Sequence, residues 1–175
     1  MSQDPLAQAL QRVQTVLERR PETGLHDDAP ARVRWSGGTR MVASHPAGRS
    51  VDTDMPAELG GTGDQVTPGW LFRAGLASCA ATSITMAAAA QGIALTLLEV
   101  NASSRSDTRG LLGMAGADGQ PVYAGPGDVT LAVRIAADGV APERLRELVE
   151  GGVDCSPIPS AVRALTPLAL KIETA

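Results

Sequence analysis

The apolar positions of this chain change period several times, and each change marks a new element. Leu6, Leu10, Val13 and Leu17 recur every three to four residues, which predicts an amphipathic helix stopped after Arg19-Arg20 by Pro21. From Ala31 the period drops to two. Val33 and Trp35 alternate with arginines, Gly37-Gly38 turns, Met41-Val42-Ala43 continues, and Pro46-Ala47-Gly48 turns again before Ser50-Val51, so three short antiparallel strands are expected. After the flexible loop from Glu58 to Gly63, Thr67 caps and Pro68 opens a helix that runs to Gln91, with Gly92 as its stop. Strand patterns return at Leu95 to Ser103 and at Val129 to Ala136, separated by a Gly-rich stretch from Gly110 to Gly127. Pro142 opens a helix carrying Leu145, Leu148 and Val149, which Gly151-Gly152 is expected to end. Pro159 to Ala164 adds a helical turn or two, and Ala169-Leu170-Lys171-Ile172 reads as an edge strand. With no internal repeat and no long linker, the pattern predicts one α+β domain over 31–175, preceded by a helical extension over 1–20.

The long helix is the unusual element. Leu71, Phe72, Leu76, Ile84 and Met86 point in most directions, and the residues between them are mainly Ala, Gly, Ser and Thr. A helix that is apolar all round must be covered all round. The rest of the chain offers few large side chains, and its only aromatics are Trp35, Trp70, Phe72 and Tyr123, so a second copy is the expected cover. Small residues let two such helices approach closely, which points to an intertwined homodimer. A membrane span is the poorer reading, because 74–91 is built from Ala, Ser, Thr, Cys and Gly rather than Leu and Phe.

Charge narrows the partners. Fifteen Lys and Arg against 19 Asp and Glu give a net charge of -4, Lys171 is the single lysine, and no basic cluster stands out, so no nucleic-acid partner is expected. Gln3 and Asp4 occupy the place where a signal peptide would carry positive charge, and no apolar run follows, which predicts a cytoplasmic protein.

Two cysteines carry the candidate chemistry. Cys79 lies inside the apolar helix, whereas Cys155 sits in the turn Asp154-Cys155-Ser156-Pro157. From the residues alone, Cys79 is either a small buried hydrophobe or a reactive thiol. An ordinary thiol is only a few per cent thiolate near neutrality, so a reactive cysteine in mid-helix needs a cation brought from elsewhere. His26 and His45 have no ligand-spaced partner, which supports neither a metal site nor a Cys-His hydrolase. Gly60-Gly61-Thr62-Gly63 lacks the Gly-Lys-Ser/Thr ending of a phosphate loop.

The segment Pro56-Ala57-Glu58-Leu59-Gly60-Gly61-Thr62-Gly63, followed by Thr67-Pro68 and Leu71-Phe72-Arg73-Ala74-Gly75-Leu76-Ala77-Ser78-Cys79, resembles the signature of the OsmC/Ohr family, the osmotically inducible and organic hydroperoxide resistance proteins. Gln91-Gly92-Ile93 and Cys155-Ser156-Pro157 match as well, so the resemblance runs from about Val33 to Ile172. It implies an α+β fold in which an intertwined homodimer packs two long central cysteine-bearing helices against antiparallel sheets. The activity it implies is thiol-dependent reduction of organic hydroperoxides, renewed by a thiol or dithiol reductant, with no metal or organic cofactor. In that likeness Cys79 is the peroxidatic thiol and Cys155 the resolving one, with the amides that begin the following helix placed to favour a thiolate at Cys155. Arg40, after Gly37-Gly38-Thr39, is the nearest match to the family's arginine but is shifted by one residue, and Arg34 and Arg49 stay open as alternatives.

The chain also departs from the family pattern. A glutamate in the first turn of the cysteine helix is replaced here by Gly69 and Trp70, leaving Glu58 as the nearest carboxylate in sequence. A loosely held arginine is then expected, and Gly69→Glu should pin it and quicken Cys79. The same departure supports an alternative, a protein of this fold without peroxidase activity that binds a hydrophobic small molecule beside Cys79. Cys-based acyl transfer finds no base near either cysteine.

Overall fold

Helix α1 occupies Pro5–Arg19 and is followed by a short 3-10 turn at Pro21–Gly24, as the proline stop requires. The computed structural model describes residues 4–164 and 166–174. Packing divides the chain into two compact units, Ala9–Ala74 and a second made of the residues up to Gln8 with those from Gly75 onward.

In the first unit, β1 (Arg32–Trp35), β2 (Met41–Ser44) and β3 (Ser50–Thr53) form the expected antiparallel meander in the order β1-β2-β3. Trp35 pairs with Met41 across the Gly37-Gly38 turn, where both glycines have positive φ, 109° and 54°. Helix α2 (Pro68–Ala90) then begins at the expected proline and ends one residue before the expected Gln91. At its start the Trp70 N–H donates to Thr67 Oγ1 at 3.1 Å. At its end Gly92 turns left-handed (φ 67°), and the N–H groups of Gly92 and Ile93 donate to the Ala89 and Ala88 carbonyls.

In the second unit, β4 (Leu95–Arg105) and β5 (Gly127–Ala137) form an antiparallel ribbon. Between them lies α3 (Thr108–Leu111), one turn that the glycine content concealed, capped by Asp107, which accepts the Arg109 N–H at 2.9 Å. Leu98 opposite Ile135 and Val100 opposite Val133 pack with Val149 against Ala80, Ile84 and Val153. Helix α2 meets this core with Leu76, Ala80, Ile84 and Ala88, four residues apart and all buried. Leu76 and Ile84, at 2% and 0% exposure, each contribute about 1.5–3 kcal/mol through burial. The other side of α2 shows Ser78, Thr82, Thr85 and Met86 to solvent in the single chain.

Two expectations are corrected. Helix α4 (Pro142–Asp154) does not stop at Gly151-Gly152 but runs through both. A Cβ at Gly152 would lie 2.9 Å from Ile84 Cα, so this glycine permits α4 to cross α2 at close range, offsetting a helix-propensity cost of about 1 kcal/mol. The second correction concerns Ala169 to Ile172, which form no strand. A strand needs a ladder partner; among the described residues none is offered, and Leu168, Leu170 and Ile172 stand exposed.

Candidate functional site

Cys79 rides half-buried in the middle of α2, one residue before the buried Ala80. Cys155, exposed, is the residue on which α4 ends, and Ser156 is the residue from which α5 (Pro157–Arg163) starts. Ser156 is wholly buried, and its hydroxyl donates to Cys79 Sγ at 3.1 Å. The Ile158 N–H points at the same sulfur from 3.5 Å. Of the amides expected to serve Cys155, that of Ile158 points at Cys79 instead. The junction is fixed by Cys155 N–H to Gly151 O at 3.2 Å, Ser156 N–H to Val153 O at 3.1 Å, and an ion pair between Arg163 and Asp154. Both cysteines are free thiols. Cys79 is thus met by two donors from the junction that also carries Cys155, the residue before Ser156. Ser156 was missed in the sequence because a serine before Pro157 reads as an ordinary helix cap.

Arg40 belongs to the other compact unit, where Asp54, Asp64 and Thr62 hold it. Its Nη2 donates to Thr62 Oγ1 at 2.9 Å, pairs with Asp64, and lies 3.5 Å from Asp54 Oδ2. Asp54 is 2% exposed and accepts from Thr39 Oγ1 (2.5 Å), the Met55 N–H (2.8 Å), the Thr62 N–H (2.8 Å) and Thr62 Oγ1 (2.7 Å). The Thr39 hydroxyl above all, then the Thr62 amide and hydroxyl, hold its carboxyl well below the usual carboxylate range, against the opposing effect of desolvation. Asp64 is lowered too, chiefly by the Thr62 hydroxyl. Thr62 has one hydroxyl proton for these two carboxylates, so Arg40 supplies the charge that lets them share it.

Neither aspartate was anticipated, whereas Glu58, chosen for its place in sequence, is exposed in the 3-10 turn Ala57–Leu59 and makes no side-chain hydrogen bond or ion pair among the described residues. Arg34 and Arg49 are exposed. The glutamate missing from the first turn of α2 leaves a position facing a different arginine: a Cβ at Gly69 would lie 3.7 Å from Arg73 Nη1. A glutamate there would meet Arg73 one turn along. The expectation that Gly69→Glu speeds the reaction by pinning Arg40 therefore loses its basis.

The Asp54 cradle makes stability pH-dependent with a definite sign. Its folded-state carboxyl is depressed, so its contribution is complete above the unfolded value of about 3.9 and drains away as pH falls below it. We expect urea midpoints of the wild type to fall more steeply between about pH 5 and pH 3 than those of Asp54→Asn, which cannot titrate there.

The family profile described as OsmC-like protein matches residues 61–171. No curated protein matches the chain. Among solved structures, an OsmC-like protein of Mycoplasma pneumoniae superposes with TM-score 0.66 at 17% identity, covering 81% of this chain and 91% of that one. An organic hydroperoxide resistance protein of Legionella pneumophila gives TM-score 0.58 at 23% identity, with 79% and 91% covered. A candidate organic hydroperoxide resistance protein of Vibrio cholerae, with captopril in one of its active sites, gives 0.53 at 26%, with 81% and 89% covered.

Proposed function

We propose that this chain, which belongs to the OsmC-like protein family, is a cytoplasmic, homodimeric thiol-dependent peroxidase that reduces organic hydroperoxides. The observation that carries this reading is the sulfur of Cys79, met by two hydrogen-bond donors, the nearer of which stands next in sequence to the exposed Cys155. The Cys79 thiolate attacks the terminal oxygen of the hydroperoxide; the O–O bond breaks, the alkoxide takes up a proton and leaves as the alcohol, and Cys79 becomes a sulfenic acid. Cys155 then condenses with it, forming a disulfide and releasing water. A dithiol reductant opens that disulfide by exchange and is itself oxidised. The family resemblance assigns Arg40 as the cation of this reaction, and Asp54 and Asp64 hold its guanidinium within its own unit. The resistance named for the Legionella pneumophila and Vibrio cholerae neighbours agrees with the proposed substrate class. The bare side of α2 and the exposed Leu168, Leu170 and Ile172 support a second copy as partner.

Peroxide consumption with cumene hydroperoxide beside hydrogen peroxide, in the presence of a dithiol, tests the reading. The organic substrate should be consumed much faster, and one equivalent should convert Cys79 and Cys155 to an intrachain disulfide in unreduced peptide maps. Absence of consumption, or Cys79 ending as sulfinic acid beside a free Cys155, defeats it. One observation favours the alternative of a hydrophobic-ligand protein: an apolar groove of about 330 Å³ bounded by Leu76, Leu131, Val153, Pro159 and Val162, within the size range of small-molecule sites. Retention of a fatty acid without turnover would favour it.

A further inference from the structure

We propose that Ser156 is a catalytic residue, its hydroxyl holding the reacting sulfur of Cys79 as a hydrogen-bond donor. The inference rests on the peroxidase reading for its chemistry but on local geometry for its substance. Serine at the residue before a helix ordinarily turns its oxygen onto the first free amides. Ser156 makes no such bond. Its hydroxyl, in a side chain with no exposed surface, donates to Cys79 Sγ at 3.1 Å instead. A neutral thiol is a poor acceptor for a buried hydroxyl, whereas a thiolate makes a charge-assisted bond roughly twice as strong as a neutral one. The arrangement therefore gains most when Cys79 is ionised, the form that attacks peroxide. The backbone prevents the hydroxyl from drifting, since the Ser156 N–H donates to Val153 O and its carbonyl accepts the Ser160 N–H at 3.0 Å.

Ser156 and Cys155 also compete for one place. A disulfide between Cys79 and Cys155 removes the charge that Ser156 binds and leaves only a weak acceptor, so this bond weakens as the disulfide forms. Reduction restores both the thiolate and its donor.

The test is alkylation of the reduced protein by iodoacetamide across pH 5–10, followed separately for the Cys79 and Cys155 peptides by mass spectrometry, in wild type and Ser156→Ala. We expect Cys79 in Ser156→Ala to react about tenfold more slowly at pH 7, with its pH–rate curve displaced to higher pH, while the Cys155 curve stays in place. Oxidation by cumene hydroperoxide should slow by a similar factor. Should alanine prevent folding, as judged by circular dichroism, Ser156→Gly gives the same readout, because glycine is tolerated before a helix. An unmoved Cys79 curve in a folded variant overturns the proposal, and so does an equal displacement of both cysteines. If wild type consumes no hydroperoxide and the Cys79 curve still moves alone, the role of Ser156 stands and the peroxidase reading falls.

Discussion

Cys79→Ser is expected to abolish hydroperoxide consumption, a loss of about a thousandfold or more, whereas Cys155→Ser should still complete one oxidation per chain. The difference follows from the role proposed for each sulfur. A serine hydroxyl in place of Cys79 is not ionised near neutrality and lacks the polarisable lone pair that attacks the O–O bond, so no step begins. In the proposed sequence Cys155 enters only afterwards. Without it the first attack proceeds and leaves a sulfenic acid that has no neighbouring thiol in its own chain, so consumption stops near one equivalent and excess peroxide drives Cys79 to the sulfinic state. Stopped-flow peroxide consumption combined with intact-mass measurement distinguishes the two variants. Steady dithiol-driven turnover at the wild-type rate in Cys155→Ser would remove the resolving role from Cys155 and leave the first step untouched.

Gly61→Ala is expected to cost about 3 kcal/mol, at the upper end of overpacking effects, and to loosen Arg40 as it does so. A Cβ at this position would lie 1.8 Å from the Met55 carbonyl oxygen and 2.8 Å from Asp54 Oδ1. Neither neighbour can yield cheaply. The Met55 carbonyl already accepts the Gly63 N–H, and Asp54 is held on four sides by Thr39, Met55 and Thr62. Gly60 makes an instructive control. It has φ 82° and open space around a prospective Cβ, so Gly60→Ala meets only the cost of a left-handed residue, about 1–2 kcal/mol. Urea denaturation of both variants checks the ranking; an alanine at 61 no worse than one at 60 would mean that the Asp54 cradle relaxes readily.

The sequence disclosed what local rules govern. Thr67, Pro68 and Gly92 set the ends of α2 through bonds within a few residues, and the alternation around Trp35, Met41 and Val51 produced the meander. It misled where a distant neighbour decides. Gly151-Gly152 looked like a stop because helix propensity is a local quantity, whereas the partner that makes Gly152 useful, Ile84, is far along the chain. The alternation at 169–172 was real, but an edge strand also needs an edge to join. The cysteines and Arg40 were singled out through their surrounding motif. Asp54 was not, because its donors lie at 39, 55 and 62 and only the closed loop gathers them. Glu58 was selected by proximity along the chain, a poor guide to which carboxylate meets an arginine.

The threonine hydroxyls on the bare side of α2 shape what a partner would meet. Thr82 Oγ1 donates to the Ser78 carbonyl and Thr85 Oγ1 to the Ala81 carbonyl, each at 2.9 Å, so both polar groups are turned inward on their own helix. What these two threonines leave outward is methyl, beside the thioether of Met86 and the exposed Ser78. A partner helix docking there would strip water mainly from hydrocarbon. Its affinity would then respond little to ionic strength, would weaken on cooling, and would carry a negative heat-capacity change. A surface that composition scores as polar would thus associate with the temperature signature of oil.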